Sequence, residues 1–123
     1  MSKEFHVLVH PSQTTDHELN TIWEQWIENS CKVLHGSNNT QETILELEDT
    51  SYVNDLEPET IIVLGGQRRD FCVSVHYTNL LDHPDIRNGD KTVEIDINAT
   101  RGGHLYSLEK EARDKGFQLI KRQ

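Results

Sequence analysis

Two triplets in this chain pair an imidazole with a hydroxyl two residues on: His10-Pro11-Ser12 and His76-Tyr77-Thr78. Each closes an apolar run, Phe-His-Val-Leu-Val in the first case and Phe-Cys-Val-Ser-Val in the second. Histidine titrates near neutrality, so two of them across one reacting centre can take a proton on one side and return it on the other. Phosphoryl transfer has that requirement, with hydroxyls left to hold the phosphoryl oxygens. The remaining histidines, His6, His17, His35, His83 and His104, are scattered. His6 and His10 are four apart but fall on a stretch read as a strand; no His-x3-His helical pair, Cys-x2-Cys or His-Glu-x-x-His occurs, so no metal centre and no cofactor are expected.

The paired triplets resemble the twin His-x-Ser/Thr motif of the 2H phosphoesterase family. The resemblance rests on six residues and departs from the family pattern at Pro11 and Ser12. It implies His10 and His76 as general acid and base, with Ser12 and Thr78 as phosphoryl ligands. That family's fold is an internal duplication, and no duplication is visible in this chain.

Charge points to a different class of function. Lys plus Arg number 12 against 21 Asp plus Glu, a formal charge of −9 with a sequence pI near 5.1. Such a chain repels phosphate backbones and anionic lipid, so neither direct nucleic-acid nor membrane binding is expected. Positive potential for an anionic substrate is limited to Arg68, Arg69, Arg87 and Arg101. Mean hydropathy is −0.67, and no apolar run approaches the ~18–20 residues that span a bilayer. The N-terminus lacks a secretory pattern, and two cysteines among apolar neighbours read as buried reduced thiols, so a cytoplasmic location is expected.

The chain of 123 residues reads as one domain, 1–123, large enough to bury a core without staples. A strand over 5–10 stops at Pro11. Thr15 and Glu18 form a capping box, and Leu19, Ile22, Trp23, Trp26, Ile27, Cys31 and Leu34 recur at helical spacing, which predicts a helix over 15–34. Thr-Ile-Leu-Glu-Leu-Glu at 43–48 alternates as a strand. The stretch 60–78 reads as a hairpin, with Gly65-Gly66-Gln67-Arg68-Arg69 as its turn. Asn88-Gly89 turns into a strand over 91–98, and a helix over about 105–115 precedes a possible last strand. The order β-α-β-β-β-β-α(-β) predicts an α+β fold: a mostly antiparallel sheet of about five strands with the first helix packed on one face.

In that arrangement Glu46 and Glu48 on one strand, and Glu94 and Asp96 on another, share the open face of the sheet. With Tyr52 and His76 nearby, this acidic face predicts a dock for a basic protein partner. The expected function is a small stoichiometric inhibitor acting by occlusion, of the toxin-immunity or phage-inhibitor type, whose target is a nuclease toxin or other nucleic-acid enzyme. No catalytic role is required by that reading. The phosphoesterase with His10 and His76 is the alternative, and an acidic adaptor or complex subunit a third.

Overall fold

The computed structural model describes residues 3–12, 14–69 and 71–123. In chain order they form β1 (Glu4–Val9), α1 (His17–Glu28), β2 (Lys32–Leu34), α2 (Thr40–Glu48), a single-turn segment Ser51–Asp55, β3 (Ile61–Gln67), α3 (Cys72–Leu81), α4 (Pro84–Arg87), β4 (Thr92–Arg101), α5 (Tyr106–Asp114) and β5 (Lys121–Arg122). All five strands pair in parallel, in the order β2-β1-β3-β4-β5.

This overturns the α+β, antiparallel expectation. Parallel neighbours need a long crossover, usually a helix, and two stretches expected as strands are those helices. Residues 43–48 belong to α2, which Asn39 caps by accepting from the Glu42 N–H at 3.1 Å. Residues 72–78 belong to α3, where Val73, Tyr77, Leu80 and Leu81 bury one helical stripe. The Gly65-Gly66 stretch is therefore the end of β3 and the entry to α3, and no hairpin exists there.

The helix expected over 15–34 is shorter. Asp16, not Thr15, caps α1, accepting from the Leu19 N–H at 3.1 Å. The helix stops at Glu28; Ser30 turns the chain at φ 64, and the next residues pair with β1 as β2. The strand over 5–10, the apolar β3, the alternating β4 after the Gly89 turn, and the last helix all occur close to their expected places.

The strand order explains how the layers form. The β1-to-β2 step runs one way along the sheet and every later step runs the other way. With right-handed crossovers, α1 lies on one face and α2, α3 and α5 on the opposite one. Two buried clusters match these faces. Leu8, Leu19 and Trp23 pack with Trp26 and Val33 beneath α1. Val7, Val9, Ile62, Leu64, Val93 and Ile95 pack with the inner stripes of α2, α3 and α5. β3, buried on both faces, has the continuous apolar sequence that such a strand requires.

Trp23 also ties α1 to the sheet through a polar contact. Its Nε1–H donates to the Ala99 carbonyl at 2.8 Å, in a fully buried position. Removing a donor strands that carbonyl, so Trp23→Phe is expected to lower stability by about 1–3 kcal/mol in urea unfolding. A loss within the noise of the measurement would show that the bond contributes nothing.

Candidate functional site

In an open parallel sheet, ligands bind outside the carboxyl ends of the strands, where the crossover direction reverses. Here that point lies between β1 and β3. A cavity of about 610 Å³ opens there, lined by His10 and Ser12 after β1, His35 to Asn38 after β2, Thr43 of α2, Gln67 at the end of β3 and Arg68 just beyond it.

Backbone strain marks the two strands beside the reversal. His10, just beyond β1, has φ 49, and Arg68, just beyond β3, has φ 68. Left-handed backbone is uncommon for residues other than glycine and persists where the surroundings impose it, often at functional sites. The Arg68 and Arg69 N–H groups both donate to the Arg101 carbonyl, at 2.7 and 3.1 Å, fixing this turn against the end of β4.

The His10 ring is held from behind. Its Nε2 lies 3.1 Å from Glu46 Oε1, and the same oxygen accepts the Gly36 N–H at 2.9 Å. Burial works to raise the Glu46 pKa, but the Gly36 and His10 bonds outweigh it and hold the carboxyl below its usual value. An ionised Glu46 accepts the Nε2 proton and leaves Nδ1 with its lone pair, the arrangement of a histidine oriented for proton transfer. Gly36, at φ +76, packs closely against the ring: a Cβ there would lie 3.2 Å from the imidazole, a tight contact.

The cavity departs from the charge of the whole protein. None of its described lining residues is Asp or Glu, while Arg68, two histidines, three hydroxyls and two side-chain amides face it. Arg69 and Arg101 stand at the same edge. Arg69 donates to Thr100 Oγ1 and to the Ile97 and Thr100 carbonyls, and Arg101 donates to Thr14 Oγ1. Loops entering the amino ends of β3 and β4 carry Asp55, Glu57, Glu59, Asp82 and Asp90. Three arginines thus meet at the carboxyl edge, where Asp16 and Glu18 also stand, while the acids at the amino edge are interleaved with Lys3, Arg87, Lys91 and Lys115, which pair with Glu57, Asp82, Asp85 and Asp90.

The residues expected from sequence divide accordingly. His10 and Ser12 share the cavity, and Ser12 Oγ donates to Gln67 Oε1. His76 and Thr78 lie on α3, and His76 is fully buried. Its Nδ1–H donates to the Leu47 carbonyl at 2.8 Å, and its Nε2 accepts from the Tyr52 hydroxyl at 2.8 Å. Tyr52 is itself stacked between Phe5 and His76. Burial pushes the Tyr52 phenol above its ordinary pKa, with Asp49 adding to the effect.

The four acids do not form one surface. Glu46 and Glu48 ride on α2, over the face that buries Val93 and Ile95. Glu94 and Asp96 point from β4 to the other face. There Arg122 bridges Glu94 and Glu4 at 3.0 and 2.7 Å, and Asp96 Oδ1 accepts the Asn98 and Ala99 N–H groups.

His35, Gly36, Ser37, Asn38, Thr43 and Gln67 were not expected at a site, and Arg68 was expected only as one of four arginines able to supply positive potential. One signal was present: Asn39 followed by Glu42 is a helix start, and it turns the preceding Gly-Ser-Asn into a strand-to-helix loop. Cys72, the first residue of α3, stands at the same carboxyl edge. No disulfide joins it to Cys31. Among the described residues, no three His, Cys, Asp or Glu side chains gather to hold a metal ion, and no helix is long and apolar enough to cross a membrane.

No family model, no curated protein and no solved structure matches the chain. The site's own chemistry must carry the functional reading.

Proposed function

We propose that this protein binds a small phosphate-bearing molecule at the carboxyl edge of its sheet, with the Glu46–His10 pair as its proton-transfer group. The observation that carries this reading is the cavity over the β1/β3 reversal, walled by His10 and Arg68 in strained backbone and lacking acidic lining among its described residues. Arg68 supplies the fixed charge, and Ser12, Ser37 and Thr43 supply hydroxyl donors for phosphoryl oxygens. Arg69 and Arg101 beside Arg68 add positive potential that favours approach of an anion to this edge. Of the two-histidine alternative, this reading keeps His10 and Ser12 and assigns nothing to His76 and Thr78.

The test is titration with inorganic phosphate, followed by heat and by amide shifts. Wild type is expected to bind in the millimolar range or tighter, with shifts confined to residues 10–12, 35–43 and 67–69. Arg68→Ala and His10→Asn are expected to weaken binding about tenfold or more; asparagine tolerates the left-handed backbone at position 10. Absence of saturable binding, or binding indifferent to both changes, sinks the proposal.

A second reading has its own support. The chain has a formal charge of −9, and the loops entering β3 and β4 carry five acids, of which Glu57, Asp82 and Asp90 pair with Lys3, Arg87, Lys91 and Lys115. That surface suits occlusion of a basic protein partner by a cytoplasmic inhibitor of the immunity type. Binding to such a partner is then expected to weaken with salt and with Glu57→Lys and Glu59→Lys. Indifference to both removes it.

A further inference from the structure

Two large aromatic rings stand in solvent at the carboxyl edge, and local stability does not explain either. Phe71 is 59% exposed and occupies the cap position of α3, where it makes no side-chain cap bond. Serine, threonine, aspartate or asparagine stabilises a helix at that position, and an exposed phenyl ring contributes nothing comparable. Tyr106 is 65% exposed and opens α5, whose cap residue Leu105 also makes no side-chain bond. The other long helices, α1 and α2, are capped in the ordinary way by Asp16 and Asn39.

Both rings belong to turns that are tied to the cavity. The Phe71 N–H donates to the carbonyl of Arg68, a lining residue, at 3.0 Å. Tyr106 follows Arg101 by five residues, and the Arg101 carbonyl accepts both the Arg68 and Arg69 N–H groups. α3 and α5 pack side by side on the same face of the sheet, so their first residues are neighbours along one rim. The two rings thus open the helices that follow β3 and β4, next along the edge from the cavity's Arg68.

Resting on the phosphate reading above, we infer that the ligand joins its phosphate to a flat aromatic ring, as a nucleotide does, and that Phe71 and Tyr106 hold the ring. Stacking is tolerant of ring identity and needs no donor or acceptor aimed at an edge. That suits two exposed rings at the starts of neighbouring helices. The ring-holding role is separable from anion binding, because Phe71 and Tyr106 lie outside the cavity lining and outside the core.

The experiment compares inorganic phosphate with AMP on wild type, Phe71→Ala and Tyr106→Ala. AMP is expected to bind wild type at least about tenfold more tightly than phosphate. Each substitution is expected to remove most of that advantage while leaving phosphate affinity unchanged. Both residues are exposed, so folding is not at stake. The inference is overturned if AMP binds no more tightly than phosphate, or if its advantage survives both substitutions. Phosphate binding would then still stand as measured. Failure of phosphate and AMP alike overturns the underlying reading together with this one.

Discussion

Gly66→Ala is expected to unfold or severely destabilise the protein, by about 3 kcal/mol or more and with a fall in Tm on the order of 10 °C. Gly66 lies in β3 at φ +130, opposite Val9 of β1. A Cβ at this position would sit 2.1 Å from the Val9 carbonyl oxygen and 2.7 Å from the Val9 nitrogen. Those atoms are backbone in the centre of the sheet, so no rotamer change relieves the overlap. Either β1 and β3 separate, or the Val9 peptide leaves its ladder. The φ adds a second penalty, because an L side chain rarely adopts it. Thermal and urea unfolding of the variant check this result, and a loss under 1 kcal/mol would mean that the two central strands are not packed as described. The same change should disturb the cavity, since Val9 and Gly66 directly precede His10, Gln67 and Arg68.

The second large effect concerns His76. Burial holds its pKa below the ordinary 6.5, although the bond to the Leu47 carbonyl works the other way. In the unfolded chain His76 takes up a proton near 6.5; in the folded protein it does so only at lower pH. The unfolded state therefore binds more protons in that window, and stability must fall as pH drops below about 6.5. It is fully present above that value. His6, whose pKa burial also lowers, adds in the same direction. Glu4, Glu46, Asp49 and Asp82, all held below their usual values, extend the loss to still lower pH.

His76→Leu separates the terms. It leaves the Tyr52 hydroxyl without its acceptor, while the Leu47 carbonyl keeps Asn79 Nδ2 at 3.1 Å. The variant is expected to be about 1–3 kcal/mol less stable at pH 7.5. It should also show a shallower decline between pH 7 and about 5.5 than wild type does. Unfolding curves at stepped pH decide the matter, and an unchanged slope would assign the dependence elsewhere. The expected result also bears on function. A histidine with both ring nitrogens satisfied in the core is a strut between α2, α3 and the Ser51–Asp55 turn, and loss of activity in a His76 variant would have to be read against its lost stability.

Much of the framework was legible before any fold was known. The β-branched runs at 61–64 and 92–97 have no helical stripe and could only be strands. The helix start read at Thr14-Thr15-Asp16, one residue from the Asp16 cap, and Gly89 after Asn88 mark ends that the structure uses. Two stretches were not legible, for a definite reason. Thr-Ile-Leu-Glu-Leu-Glu and Cys-Val-Ser-Val-His-Tyr-Thr are each short enough to satisfy a period of two and a period of 3.6 at once. What separates the periods lies outside them: Asn39 and Glu42 before the first, Leu80 and Leu81 after the second. With both read as strands, the stretch 43–98 became a run of four consecutive strands, and the glycines between β3 and α3 became a hairpin turn.

That error also moved the site. The acidic face needed four acids on two neighbouring strands, and the helical state of 40–48 puts two of them on the far side of the sheet. The cavity that does form takes its walls from the ends of β1, β2 and β3, segments separated by about 25–30 residues each. No spacing rule connects His10, Gly36 and Arg68; only parallel pairing with one reversal brings them together.

The sequence by itself determined the acidic charge, the apolar strands and the presence of His10 beside a hydroxyl, because each of these is a property of residues or of local periodicity. Tertiary structure decided the parallel sheet and the burial of His76. It also decided that Arg68, Arg69 and Arg101, three of the six arginines, meet at the carboxyl edge. Those outcomes depend on which strands pair and which faces the crossovers cover, and strand pairing is a contact between distant parts of the chain.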